Sequence, residues 1–459
     1  MTSPALQYLP PEILLLISDE LPHRDRKSLS AVNGRFRNQL VRRLFRHIQI
    51  DCPLSQDSNL QHVIDKYGDY VTGLLLNVTF LPNPPSSSFE GTELDLETDW
   101  YEEEKWYWYD YPDSVWAQDA SDVPIMHDLI QFKGMPKCTS LGIRTDGEGE
   151  FEPHGGWDDD GFYGYDFCAS VESWEEVKEK ERKYSWRQAW NELWRDVAKF
   201  SKMERLDLFN YLPIKASWWL EPEWAAFVGR LKDLKIRAFG QDNGFNTQEG
   251  FCSFFNDMPE FLFRHATNLE HLYIAGHEDA HLSDGTLRFK EDTMTQLKSL
   301  HFENMSISTS LMDFLSGSTP KLESLHLDNV AAWGTVFTPV WADFWEAVRE
   351  GNPALKEVIY RYPRTPPLSE EERLHGHDPT FDATKTDDEQ EAQARKMVAD
   401  DDTLTIWPYI CADDTFGELF EMEDPNLYFL VLGHDNTEYK LLMKEIKERQ
   451  QETTAPSDN

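Results

Sequence analysis

Six copies of one apolar triplet, Leu-x-x-Leu-x-Leu loosely kept, leave this chain few folds to choose from. They are Met203/Leu206/Leu208, Leu231/Leu234/Ile236, Leu269/Leu272/Ile274, Leu297/Leu300/Phe302, Leu322/Leu325/Leu327 and Leu355/Val358/Tyr360. Their starts lie 28, 38, 28, 25 and 33 residues apart. Val71/Leu74/Leu76 and Cys138/Leu141/Ile143 are two earlier copies, set apart by long insertions. Helices are expected between copies: Phe251 to His265, Ser310 to Leu315 behind a threonine cap, and Trp341 to Glu350 ending at Gly351. Each strand-plus-helix unit buries its triplet only by stacking on its neighbours.

A period in the twenties and thirties with one strand per unit is the leucine-rich-repeat signature, and the array is expected to form a curved, irregular solenoid over about residues 60–362. Within each strand the residues between buried leucines face away from the core. The middle positions form a row: Asp207, Lys235, Tyr273, His301, His326 and Ile359, flanked by Arg205, Arg237, His271, Glu303, Asp328 and Arg361. This row is the expected target-binding site, against the plainer alternative of a solvated sheet face. Nothing around the histidines marks a metal site.

The N-terminal stretch, residues 6 to 48, follows a different pattern. Apolar positions at Ile13, Leu14, Ile17 and Leu21, then Leu29, Val32, Phe36, Leu40 and Leu44, recur at spacings of three and four, which predicts short amphipathic helices. Pro10 and Pro11 suit a first turn, Pro22 closes the first helix, and Asp25 is expected to cap the second. So short a segment cannot bury all these side chains internally, so some should face another surface.

Leu9-Pro10-x-Glu12-Ile13-Leu14-x-x-Ile17, then Leu21, Asp25, Leu29, Val32 and Phe36-Arg37, resembles an F-box, the docking module of SCF ubiquitin ligase receptors. The irregular repeat period also resembles the degenerate repeats of F-box proteins. The resemblance implies docking to the small acidic SCF adaptor, and through it to a cullin, over residues 6–50. The adaptor-binding residues it points to are Leu9, Pro10, Ile13, Leu14, Ile17, Leu29, Val32 and Phe36. The alternative is a helical cap on the next domain. The whole expectation is thus an α/β chain: an N-terminal three-helix F-box, then an irregular leucine-rich-repeat solenoid with acidic, aromatic-rich insertions at about 82–125 and 145–170.

Charge fits that division. Residues 1–50 carry eight Lys/Arg against four acids, a net of +4, whereas the whole chain stands at −39 and the other 409 residues therefore at −43. A basic module on an acidic body suits an acidic adaptor and a partner with a basic surface, and argues against nucleic acid. From Glu90 to Asp122 twelve acids face one lysine, interleaved with eight Trp and Tyr including Trp106 and Trp108. Such rings either fold back on the body or add to target binding through cation–π contacts. Ser173-Trp174-Glu175-Glu176 resembles a capping box, opening one helix that carries Trp186, Trp190, Leu193, Trp194 and Val197 on a buried face.

Beyond Pro367 the composition turns acidic. Residues 363–402 are expected to be a mostly disordered or loosely helical linker, 403–450 a C-terminal cap with strand-like stretches around Ile406-Trp407 and Leu427 to Leu432 and a helix from Tyr439, and 451–459 a disordered tail. Five scattered cysteines form no Cys-x-x-Cys pair, and no secretion signal or bilayer-length apolar run is evident. An intracellular protein, cytoplasmic and/or nuclear, with no membrane partner and no cofactor, is expected. Gly147-Glu148-Gly149 and Gly161 to Gly164 lack the context of a phosphate loop, His375-Gly376-His377 lacks a ligand set, and no hydrolase motif is present. A non-catalytic SCF substrate receptor is the leading expectation. A scaffold that binds partners without delivering them for ubiquitination is the alternative.

Overall fold

The computed structural model describes residues 9–55, 59–78, 114–145, 171–239, 248–277, 281–283, 285–334, 340–376, 388–412 and 419–454. Trp106, Trp108 and most of both acidic insertions lie outside the described residues, as do residues 455–459 of the expected tail, whereas 451–454 continue the last helix instead of being disordered. The chain divides into two compact units, one of residues 1–147 with 180–207 and one of 148–179 with 208–459.

The first unit opens with α1 (Pro11–Asp19), α2 (His23–Val32) and α3 (Gly34–Leu44). Pro11 takes the first helical position, where its missing N–H costs nothing. Asp25 does not cap α2; Pro22 stands at the cap and Asp25 lies in the first turn, where its charge still meets the positive end of the helix dipole. Asn33 caps α3 by accepting the Phe36 N–H at 2.9 Å. Leu14, Phe36 and Leu40 form a closed core with Leu15, Leu29 and Leu44 around it. Arg43 binds α3 to α1 through Asp19 at 2.8 Å and Ser18 Oγ at 2.9 Å.

Three parallel strands follow, β1 (His47–Cys52), β2 (Gly73–Val78) and β3 (Ser140–Arg144), with α4 (Leu60–Tyr67) and α5 (Val123–Ile130) between them. Ile48, Leu74 and Leu141 stand in one rung and Ile50, Leu76 and Ile143 in another, all buried. The β1 copy, Phe45/Ile48/Ile50, keeps the triplet spacing and stands in register with Leu74 and Leu76, but sequence analysis did not count it. The capping box at Ser173 forms, with Glu176 N–H donating to Ser173 Oγ at 3.3 Å and Ser173 N–H to Glu176 Oε2 at 2.8 Å. The single expected helix is two, α6 (Trp174–Lys183) and α7 (Ser185–Phe200), separated at Tyr184, whose backbone is extended. In α7 the carboxylate of Asp196 is buried and receives Trp116 Nε1, Arg195 Nε and His127 Nε2, each at 2.8 Å.

The second unit carries the regular repeats. Its strands β5 (Asp233–Ala238), β6 (His271–Ala275), β7 (Ser299–Ser306), β8 (Ser324–Trp333) and β9 (Glu357–Arg361) pair in parallel, each with the next copy along the chain, after β4 (Arg205–Tyr211). Helices α8 (Pro222–Val228), α9 (Glu249–Phe261), α10 (Thr309–Gly317) and α11 (Trp341–Gly351) lie between strands. The rung Leu234–Leu272–Leu300–Leu325–Val358 and the rung Ile236–Ile274–Phe302–Leu327–Tyr360 run straight across all five strands. Parallel strands, apolar rungs in register and a helical return make this a leucine-rich-repeat-type fold. The cap of α10 is Ser308 rather than Thr309, its Oγ accepting the Leu311 N–H at 3.1 Å. Gly351, the last residue of α11, is glycine for a reason of space: a Cβ there would sit 2.2 Å from the Leu315 carbonyl oxygen.

The C-terminal part departs most from expectation. The acidic linker holds two helices, α12 (Glu370–His375) and α13 (Glu389–Asp400), and Leu368 and Ala394 are buried together with Leu430. Its few apolar residues are enough because they meet others from distant sequence. Leu427 to Leu432 belongs to a helix, α14 (Glu423–Leu432), rather than a strand, since both neighbouring turns supply helical hydrogen bonds and Gly433 ends it in the left-handed region at φ 76°. Strands β10 (Tyr409–Ala412) and β11 (Leu419–Glu421) pair antiparallel, and β10 adds in parallel to β8. The last helix, α15 (His434–Thr454), packs on α11. Between them Trp341, Trp345, Tyr360, Trp407 and Tyr439 form a continuous ring cluster.

Candidate functional site

The strands β5 to β9 turn their alternate residues outward, and register decides which of these meet. Lys235, Tyr273, His301, His326 and Ile359 form one row, each opposite the next. One flank is Arg237, Ala275, Glu303, Asp328 and Arg361; the other is Asp233, His271, Ser299, Ser324 and Glu357. His271 therefore stands on the opposite side of the row from Arg237, and the five-residue strand places Ala275 beside Arg237 instead. Lys235, Tyr273, His301 and His326 line one shallow concavity of about 490 Å³ with Arg237, His271 and Glu303. Asp207, half-buried on β4, is not part of its lining.

The side chains of this face are tied to one another across strands. Tyr273 donates its hydroxyl to Glu303 Oε2, and the Arg237 guanidinium covers the Tyr273 ring at 4.9 Å and the Phe209 ring at 5.2 Å. Partial burial, then the hydrogen bond to Glu303, pushes the Tyr273 phenol up to about 12, so it stays a donor at any physiological pH. His301 packs edge-on against Tyr273 with centroids 4.7 Å apart and reaches Asp328 Oδ2 at 2.8 Å through Nε2. His326 stands next to it, 5.5 Å between centroids, with Nε2 3.5 Å from Glu357 Oε2.

Sequence reasoning missed Glu303's role as the tie to Tyr273 and the asparagines just beyond the face. Asn304 and Asn329 both adopt positive φ, 53° and 51°, and Asn329 Nδ2 donates to Asn304 Oδ1 at 2.8 Å. The signal was present: both follow the second buried residue of their strands by two positions, as Asn210 does in β4 at φ 47°.

The helical module presents a second surface. Of the residues expected to bind an adaptor, Ile13, Ile17 and Val32 are exposed, at 42%, 36% and 67%, and Pro10 is exposed too. Leu9 and Leu29 are half-buried. Leu14 and Phe36 are buried in the module's own core, so they hold the surface up rather than form it. Leu16, 63% exposed, was missed; it shares one helix face with Ile13 and Ile17 by the three-and-four spacing. Among the described residues no cluster of three His, Cys, Asp or Glu is placed to hold a metal, and no helix is long and apolar enough to cross a membrane.

No family model matches the chain, and no curated protein matches it by sequence. Among solved structures it is similar to the leucine-rich repeat-containing protein LegL7 from Legionella pneumophila, at 14% identity and a TM-score of 0.26, over 69% of this chain and 91% of that one. It is also similar to the TLR13 chain of a TLR13–ssRNA13 complex, at 13% identity and a TM-score of 0.26, over 74% of this chain but only 39% of that one. At these scores the neighbours decide nothing about ligand, and the fold assignment rests on the chain's own strand register.

Proposed function

We propose that the chain is the substrate-recognition subunit of an SCF-type ubiquitin ligase, with α1 to α3 docking the adaptor and the outward face of β5 to β9 binding the target. One observation carries the docking half. The helical module closes its own core around Leu14, Phe36 and Leu40 yet leaves Ile13, Leu16, Ile17 and Val32 exposed. Large apolar side chains grouped on a short module mark an interaction surface. The module's net +4 suits an acidic partner.

Such a receptor acts by proximity. It raises the local concentration of target lysines near the charged carrier enzyme and needs no catalytic residue of its own. The cytoplasm or nucleus is where this role would be exercised.

Co-expression with an SCF adaptor tests the reading. The wild-type chain should co-purify with the adaptor and cullin, and Ile13→Asp should abolish the complex without unfolding the chain, since a charge in a docked apolar face costs several kcal/mol. A wild-type chain that never captures the adaptor would end it. If the adaptor binds but no protein gains stability when the receptor is deleted, the chain is a scaffold.

A further inference from the structure

On the β5 to β9 face each carboxylate already has a partner within the chain, whereas Lys235 and Arg237 pair with no carboxylate among the described residues. Glu303 accepts from Tyr273, Asp328 faces His301 at 2.8 Å, Glu357 faces His326 at 3.5 Å, and Asp233 is itself engaged. Lys235 and Arg237, by contrast, are exposed and have no carboxylate within ion-pair distance among the described residues. They stand two residues apart on β5, on the same side of the strand, with His271 exposed on the next strand. Arg237 is pre-oriented, since its guanidinium lies against two aromatic rings and loses little freedom on binding.

This local pattern runs against the net charge of the chain. A net of −39 draws basic partners at long range. At physiological ionic strength that field fades over about 8 Å, so the groups lining the face decide what can seat there. A cationic side chain placed on this face would find carboxylates that are already bonded and would meet Lys235 and Arg237 at close range. A carboxylate would find two cations that no carboxylate of the described chain pairs with, Arg237 being held only by the Tyr273 hydroxyl and the two rings.

We propose that the face of β5 to β9 binds a carboxylate-rich segment of its partner polypeptide, with Lys235 and Arg237 as the paired cations and His271 as a third donor. The five strands span four spacings of about 4.8 Å, roughly 19 Å, which an extended peptide crosses in about six residues. The inference rests on the reading of this face as the target-binding surface and is independent of adaptor docking.

Fluorescence anisotropy with the full-length chain tests it, using labelled peptides rich in glutamate, in lysine or in glutamine, and a glutamine-rich peptide carrying one phosphoserine. The glutamate peptide should bind, weaken with added salt, and lose roughly tenfold or more in affinity in Lys235→Glu/Arg237→Glu. Both residues are exposed, so an unchanged melting curve shows that the double variant is folded. Preference for the lysine peptide would overturn the proposal, as would phosphoserine binding without glutamate binding, or a double variant that binds glutamate as wild type does. Ile13→Asp should bind the glutamate peptide normally. Adaptor capture without peptide binding would sink this inference alone; peptide binding without adaptor capture would sink the ligase reading alone.

Discussion

Tyr409 donates its hydroxyl to Asp435 Oδ2 at 2.8 Å, inside the C-terminal cap and out of contact with solvent. The other oxygen of the same carboxylate accepts the Ala342 N–H at 2.9 Å, at the start of α11. One buried acid thus joins β10, α11 and α15, three elements that share no local sequence.

Burial raises the Asp435 carboxyl from its ordinary 3.8 to about 6, outweighing the hydrogen bonds from Tyr409 and Ala342 that favour its charge. The folded chain therefore binds this proton more tightly than the unfolded one. Stability from this group is full below about pH 4 and is lost as pH rises through about 6, by about 3 kcal/mol in all. Asp435→Asn should flatten that slope. Urea unfolding of both proteins between pH 4 and 7 reads it, and a wild-type-minus-variant difference that does not change with pH would refute it.

Leu14 and Leu16 should separate folding from docking. Leu14→Ala leaves a cavity in the core shared with Phe36 and Leu40 and should cost the module about 2–4 kcal/mol. Leu16→Ala removes an exposed side chain and should change stability by less than about 0.5 kcal/mol while weakening adaptor binding. Equal melting losses in the two variants would show that Leu16 is packed in solution.

Asp196 should be a stability residue of the first unit. Burial works to raise its carboxyl, but hydrogen bonds from Arg195 and Trp116 hold it below the ordinary range. Its contribution is therefore present at neutral pH and lost as pH falls through the lowered value. Asp196→Ala orphans the buried Trp116 indole N–H and should cost about 2–4 kcal/mol at pH 7, with a smaller penalty in acid. Chemical denaturation at pH 7 and pH 3 distinguishes this from a loss that ignores pH.

The two faces of β7 should respond differently one residue apart. Leu300→Ala removes a fully buried member of an apolar rung and should cost about 3–5 kcal/mol. His301→Ala, on the outward row, should cost less than about 1 kcal/mol and act mainly on peptide binding. A comparable loss of stability in both would mean that the outward row is structural.

Asn329 should tolerate glycine better than alanine. Its φ of 51° favours glycine, and Asn329→Ala adds strain to the lost bond with Asn304, about 1–2 kcal/mol together. Asn329 also donates toward Nε2 of His281, whose burial lowers its pKa to about 4, so that histidine is neutral when folded. Its stability contribution is present at neutral pH and lost as pH falls below about 6.5, opposite in sign to Asp435. Unfolding measurements on the single and paired variants at pH 5 and 7 would expose either failure.

The repeats were legible because each copy repeats its own burial pattern. The triplets at Leu231, Leu269, Leu297, Leu322 and Leu355 carry strand, spacing and inward face together, and these become the rungs of β5 to β9. The three N-terminal helices were legible for the same reason. At Leu427 to Leu432, where the local pattern was ambiguous, the expectation failed, and at β1 a copy was overlooked. Phe45/Ile48/Ile50 adjoins the N-terminal helices and was read with them, and an unbroken apolar run reads equally as strand or helix until its neighbours choose. In the acidic linker helices were one of the two expected states, but its packing was not legible: the partners of Leu368 and Ala394 lie as far away as Leu430, and no window of sequence contains them.

The sequence by itself determined the inward face of each repeat and the apolar surplus of the helical module, because burial follows from residue type at a fixed period. Only the tertiary structure decided the chemistry of the outward face. Tyr273 and Glu303 are 30 residues apart and His301 and Asp328 27 apart, so which acids are satisfied and which cations remain depends on strand register. Register is set by the stacking of whole repeats, a long-range property that apolar periodicity enforces but does not spell out.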